Sequence, residues 1–491
     1  MPKSVVVERC AESHAPLSCQ RLSSGTPGSA QGGQRAILDD FRRDFVATPV
    51  AWSIRHAEDT TTATLAEGLR RAAAASGHLP LDALSPDAGE IPRLWLPAAH
   101  VCLTPQATRA APAPTTIPRH ALRVLVSSSR GASAGGAPGW DRFLSATDPA
   151  ALFAAIASEA RLHHLKAIIT EAEAAPPPAC KLSVVICTYR RPGNLARALA
   201  SLAAQQFPVA DHELLIVNND PADRAPAEIV AEARRTSFAP RPDRLRLVQC
   251  PFPGLSFARN AGISQARGEV VSFLDDDAVA PPDWLEQVWR TFDAHPEAGV
   301  IGGAIILDMP EPRPRWLKPG WEKFWSHRVP PFTTPTAVDR WWDFPWGANW
   351  SARRRVLVAM GGFRTRYGRR GANAAGGEEI VAACLARALG HTVVVAPAVR
   401  VVHAPDPDRF TLRHVWGRMF AARREEYRWQ RDGYLPREMR LAGVARASAR
   451  HLKRAWRRGL AAPERLEHLM GACADASLLV PLLRERWSWR P

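Results

Sequence analysis

Three adjacent carboxylates, Asp275, Asp276 and Asp277, follow the apolar run Val270-Val271-Ser272-Phe273-Leu274. Like charges packed together repel and raise one another's pKa. Either water screens these acids in a turn, or a cation sits among them. In an extended turn Asp275 and Asp277 can point to the same side. Hard oxygen ligands of this sort suit Mg²⁺ or Mn²⁺, usually shared with substrate phosphates. A short acidic turn taken alone is weak, because such motifs arise often by chance. Its company is more telling. Thr188-Tyr189-Arg190-Arg191-Pro192 offers polar groups to a nucleotide base, and Asn218-Asn219-Asp220 ends another apolar run. Arg259 and Asn260 stand near the start of a helical pattern, where a cation beside helix-end N–H groups makes an anion site. Each cluster also has a plainer reading, as turn residues, a capping Asn or a surface Arg.

The elements around these residues give them a common address. Leu182 to Thr188 reads as a buried strand, and Pro192 starts a helix with Leu195, Leu199 and Leu202 on one face. Strands are expected at Leu214 to Val217, Leu245 to Val248 and Glu269 to Leu274, with helices at Phe257 to Ala266 and Pro281 to Phe292. This βαβαβ alternation predicts an α/β fold, a mainly parallel sheet with helices on both faces. Such sheets bind ligands beyond the carboxyl ends of their strands. The polar clusters fall there. Residues 1–145 carry no chemical motif. They read as loop-rich at Ser23 to Gln34 and Ala111 to Pro118, with a helix over Leu65 to Ala75 and a strand over Leu122 to Val126. A helical linker over 146–178 stops at Pro176-Pro177-Pro178. The chemical unit is expected at 179–408, and 409–491 as a helical extension: Leu412 to Arg424, Arg437 to Leu460, and Pro463 to Leu483.

Together SVVICTYRRPGNLARALASLAAQ, ELLIVNND and GLSFARNAGISQARGEVVSFLDDDA resemble the family 2 glycosyltransferases. The likeness runs from about Leu182 to His403 and implies the Rossmann-like GT-A fold, which binds nucleotide sugars. It implies that Asp275 faces the donor ribose, that Asp277 binds a divalent metal (Mn or Mg), and that Asp276 is less directly engaged. His403, at the end of Val399 to Val402, would stand near that metal as a neutral imidazole. The family usually has Asp where this chain has Asn218, with Asp220 two residues on as the alternative. On the acceptor side the likeness points to Trp346, Ala348 and Asn349, inside a tryptophan-rich stretch whose other indoles read as packing. Glu378 and Glu379 suit a helix N-terminus through the macrodipole. An inverting transfer also needs a carboxylate to remove the acceptor proton, and the family's motif ends in an acid at the place of Glu379. The Q-x-x-R-W element of processive synthases is absent, which favours transfer of single sugars. The partners implied are a nucleotide-diphosphate sugar and a hydroxyl acceptor, on a glycan or a lipid carrier, in polysaccharide or glycoconjugate synthesis. A nucleotidyltransferase, or a non-catalytic basic binder on the same fold, is the alternative.

Length and composition agree with this. At 491 residues two or three domains are expected, and a hydrophobic content of 46% supports a core. The eight cysteines form no C-x-x-C pair, which suits thiols in a reducing cytoplasm. No run of about 18 uninterrupted apolar residues suggests a membrane span. A net charge of +16 implies attraction to something anionic. Basic clusters such as Arg450 to Arg458 read as a solvated helical face, or as peripheral contact with an anionic membrane at its inner face. No nucleic-acid partner is expected.

Overall fold

The computed structural model describes residues 178–250, 252–370, 376–457 and 459–488, and before them separate strands and helical positions between 51 and 160. The expected loops at 23–34 and 111–118 lie outside the described residues. The N-terminal region holds five strands: β1 (Ala51–His56), β2 (Leu79–Pro80), β3 (Ala98–Thr104), β4 (Leu122–Ser127) and β5 (Arg142–Ser145). They pair in parallel in the order β2-β1-β3-β4-β5, which is the order of one common doubly wound sheet. The sequence reading found only β4 among them. Runs such as AWSIRH are short and carry charge, so their period is faint. The expected helix over Leu65 to Ala75 is helical at 64, 66–69 and 71, and the linker at several positions from 149 to 160.

The larger sheet is built from β6 (Cys180–Thr188), β7 (His212–Asn218), β8 (Leu245–Gln249), β9 (Gly268–Leu274), β10 (Ala278–Val279), β11 (Ala298–Leu307), β12 (Thr336–Val338), β13 (Asn349–Arg353) and β14 (Thr392–His403). Its order is β10-β14-β11-β13-β9-β6-β7-β8, with β12 on β14. The half made of β9, β6, β7 and β8 is parallel as expected. The other half is mixed: β13 runs antiparallel to both β9 and β11, and β10 and β12 run antiparallel to β14. The two halves meet at β13.

Helices cover both faces because the strands alternate. Leu182, Val184 and Ile186 of β6 pack into one core with Leu195, Leu199 and Leu202 of α1 (Pro192–Ala203). Val185 belongs to the opposite core, with Phe257, Ala258 and Ala261 of α3 (Leu255–Gln265). α2 (Ala225–Arg235) precedes β8, and α4 (Trp284–Ala294) lies between β10 and β11. A short α5 (Arg354–Ala359) follows β13, and α6 (Glu378–Ala388) precedes β14. The C-terminal region forms α7 (Leu412–Arg431), α8 (Leu441–Ala455), α9 (Ala462–Ala476) and α10 (Leu479–Ser488). By length and composition alone Ala462–Leu483 passes as a membrane-crossing helix, which the sequence reading did not anticipate. α9 packs on α7 and α8.

Candidate active site

A cleft of about 910 Å³ opens over the carboxyl ends of β6, β7 and β9 and is closed on its far side by α7, α8 and α9. Thr188, Tyr189, Asp275, Asp276, Asp277, Arg259, Trp346, Ala348, Glu378, Glu379 and His403 all line it. Residues far apart in sequence thus share one chamber.

The three acids have three different environments. Asp275 is the most open, with Arg259 Nη2 at 3.5 Å. Asp276 is buried and accepts a hydrogen bond from Thr188 Oγ1 at 2.9 Å. Burial and the charge of Asp277 push its pKa up to about 7. Burial would raise Asp277 too, but the His403 hydrogen bond and the charges of His403, Arg409 and Arg191 outweigh it. Asp277 is therefore held well below the usual carboxylate range. Its Oδ2 lies 2.7 Å from Arg409 and 3.1 Å from Arg191, and its Oδ1 3.1 Å from His403 Nε2.

A divalent cation fits part of this set. His403 Nδ1 lies 2.6 Å from the carbonyl of Trp325, and since a carbonyl can only accept, Nδ1 must carry the hydrogen. A backbone carbonyl holding the far nitrogen is the usual support for a metal-binding imidazole. Two ligands about 2.1 Å from an octahedral ion, at right angles, stand about 3 Å apart, and Asp277 Oδ1 and His403 Nε2 meet that spacing. Asp275 does not complete a cluster with them, and no group of three ligating side chains occurs among the described residues. Such a cation would draw its remaining ligands from substrate and water.

The opposite wall is set by α6. Gly377 caps it with φ +82, and a Cβ there would stand 2.0 Å from Trp429 Cζ2. Only glycine fits. Glu378 is buried and pairs with Arg259 Nη1 at 2.8 Å. Arg259 also donates to the Gly347 carbonyl at 3.2 Å and lies against the rings of Phe273 and Phe363, which pack edge to face on each other. It ties the base of α6 to the acidic turn. Glu379 is half-buried. Burial and the neighbouring Glu378 push its pKa from 4.5 to about 8, Arg259 opposing. Two buried polar atoms of the cleft wall, Glu378 Oε2 and Trp429 Nε1, have no partner among the described residues. They are an acceptor and a donor that a bound hydroxyl compound would satisfy.

Other expected residues support the cleft from behind. Asn218 is fully buried, donating to the Asp223 carbonyl and accepting from the Asp220 N–H in a tight turn. Asp220 pairs with Arg190 at 2.6 Å, away from the lining. Asn219 faces the cleft instead, its amide bridging the carbonyls of Cys250 and Phe252 and the N–H of Gly254. Asn260 exchanges two hydrogen bonds with the backbone of Phe363, and Asn349 donates to the Ala304 and Val399 carbonyls while accepting from Trp284. Asn260 holds the loop after α5, Asn349 ties β13 to β11, β14 and α4, and neither lines the cleft. The sequence reading gave no part to Arg369, Arg409, Arg418 or Trp429. Arg409 follows His403 by six positions, so proximity was the available signal. For Arg418 and Trp429 only the fold brings α7 to the site.

A mixed sheet with helices on both faces, presenting acids, a buried arginine and an α6 carboxylate to one cleft, has the GT-A fold. Residues 183–361 match the sequence model of Glycosyl transferase family 2, and the chain carries a glycosyltransferase domain of that family. It is 29% identical over 204 residues to a glucosyl-dolichyl phosphate glucuronosyltransferase of Haloferax volcanii, covering 39% of this chain and 58% of the relative. It is 32% identical over 145 residues to the succinoglycan biosynthesis protein ExoM of Rhizobium meliloti, covering 30% and 45%. The chain thus spans about half the length of these relatives. Among solved structures, a mannosyltransferase of Pyrobaculum calidifontis in complex with GDP-Man and Mn²⁺ aligns at 19% identity and a TM-score of 0.40, over 65% of this chain and 95% of that one.

Proposed function

We propose that this chain transfers a sugar, with inversion, from a nucleoside-diphosphate donor to a hydroxyl of a glycan or lipid-linked acceptor, in polysaccharide or glycoconjugate synthesis. The observation that carries this reading is that half-buried Glu379 shares one cleft with Asp275, Asp276 and Asp277. A carboxylate with a pKa near neutrality, facing the ligand space, suits general-base work. In this reading Glu379 takes the acceptor proton, while Glu378 holds Arg259 toward Asp275. Arg191 and Arg369 supply positive charge where a diphosphate would leave. Asp277 and His403, with Asp275 on the ribose side, would hold a divalent cation. When bound, that cation would neutralise the departing diphosphate. The names of the two relatives support an acceptor that is itself a glycan or a lipid-linked sugar. A cytoplasmic setting accords with scattered thiols.

A panel of nucleotide sugars with Mn²⁺ or Mg²⁺ tests the reading. Release of nucleoside diphosphate, lost on adding chelator, is expected with one donor. Release of pyrophosphate would instead make the chain a nucleotidyltransferase, and no turnover with any donor would leave a binding module.

A further inference from the structure

Helix α8 carries charge that the cleft does not use. From Met439 to Pro463 the chain contains no acidic residue. The helix buries Val444, Ser448 and Ala455, and turns Ala447 and His451 to the cleft. Arg446, Arg450 and Lys453 are exposed and recur at spacings of four and three, so they form one stripe along the helix, and exposed Arg457 lies two residues past its end. None of the four forms an ion pair with a described residue. The same end of the helix exposes two apolar side chains, Leu452 at 44% and Trp456 at 82%.

We propose that this face seats the protein on an anionic lipid surface. A single exposed apolar residue is ordinary, but an indole at the helix end, flanking an unpaired basic stripe, has a specific use. Trp sits well at headgroup depth, and long basic side chains can lay their stems on apolar surface while their charges stay in water. Leu452 decides between lipid and polynucleotide. An exposed leucine gains nothing from a phosphate backbone and gains from acyl chains. This assignment does not depend on the transferase reading, because its test measures binding and not turnover.

The full chain would be sedimented with vesicles of phosphatidylcholine alone and of phosphatidylcholine mixed equally with phosphatidylglycerol. It should pellet with the mixed vesicles at low salt and stay in solution with the neutral ones. Each cation near an anionic surface strengthens binding roughly fivefold, so the pair Arg450→Gln and Lys453→Gln should weaken partition by roughly 25-fold. Raised salt should mimic that loss. Trp456→Ala should remove the binding that survives at higher salt. All these side chains are exposed, so both variants should keep the parent melting temperature, separating lost docking from lost folding. Failure to pellet with the anionic vesicles, or equal pelleting of parent and double variant, would overturn the proposal. Tighter binding to duplex DNA than to anionic vesicles, lost in the same double variant, would reassign the face to polynucleotide.

Discussion

At the scale of single residues, the two adjacent glutamates separate into different roles for electrostatic reasons. Glu378 is locked to a buried guanidinium, with both side chains only 3% exposed. Glu378→Gln would leave Arg259 with the more distant Asp275 as its nearest charge, and breaking a buried pair costs about 3–5 kcal/mol. It should therefore lower the denaturation midpoint strongly. Glu379 has no such partner. Glu379→Gln should keep the fold and the affinity for nucleoside diphosphate while transfer falls by roughly 10²–10⁴. Equal losses of stability and rate in both variants would reduce the pair to a structural cap. The direction of the pH effect also follows. A base must be ionised, and with its pKa near 8 Glu379 is only about one-tenth ionised at neutral pH. The transfer rate should climb from neutral pH, reach half its maximum near pH 8 and level about one to two units higher. The linked stability runs the other way. Between 4.5 and about 8 the folded form keeps a proton that the unfolded chain has lost, so stability falls as pH rises through that window. Glu379→Gln should abolish both slopes.

The elements show which parts of the fold and site could be read from sequence. β6, β7, β8 and β9 are apolar runs ending in polar clusters, and both features are local, so strands and acidic turn were legible together. β13, with the sequence NWSAR, has no such pattern. Its pairing between β9 and β11 comes from tertiary context, and its antiparallel direction was invisible. Asn349 and Asn260 were read as ligand-facing because a buried amide and a binding amide look alike in sequence. Only the carbonyls they meet tell them apart. The expected break between α6's partners and the C-terminal helices failed to show Trp429, because a packing contact across sequence leaves no local mark. Gly377 tests that contact. Gly377→Ala would place a Cβ 2.0 Å from Trp429 Cζ2 at a left-handed φ of +82. Backbone strain plus overpacking should cost about 2–4 kcal/mol in denaturant titrations. Because α6 carries Glu379, transfer should fall as well. Trp429→Ala in the same chain should recover part of the stability, as relief of a clash does, and no recovery would mean that the two do not couple.

For the whole molecule, the sequence boundary at 408/409 divides groups that the fold joins. Arg409 holds Asp277 at 2.7 Å, and its carbonyl accepts from Trp325 Nε1 at 3.1 Å. Trp325 stacks on Phe410 and His414. Farther along, Tyr367 donates to Asp432 at 2.6 Å, Arg428 donates to the Arg366 carbonyl at 2.7 Å, and Lys318 pairs with Glu467. These contacts spread over α7 and α9, whose residues line the cleft, so the C-terminal helices form part of the cleft's wall. Trp325 is also the residue whose carbonyl orients His403. A fragment ending at residue 408 would uncover buried Trp325 and leave Asp277 without its shortest cationic contact. It should be insoluble, or soluble without measurable affinity for a nucleoside diphosphate in calorimetry. A fragment of residues 172–491 keeps every contact named here and should bind nucleoside diphosphate within a few-fold of the full chain. If instead the first fragment binds normally and the second does not, the N-terminal sheet and not the C-terminal helices completes the donor site.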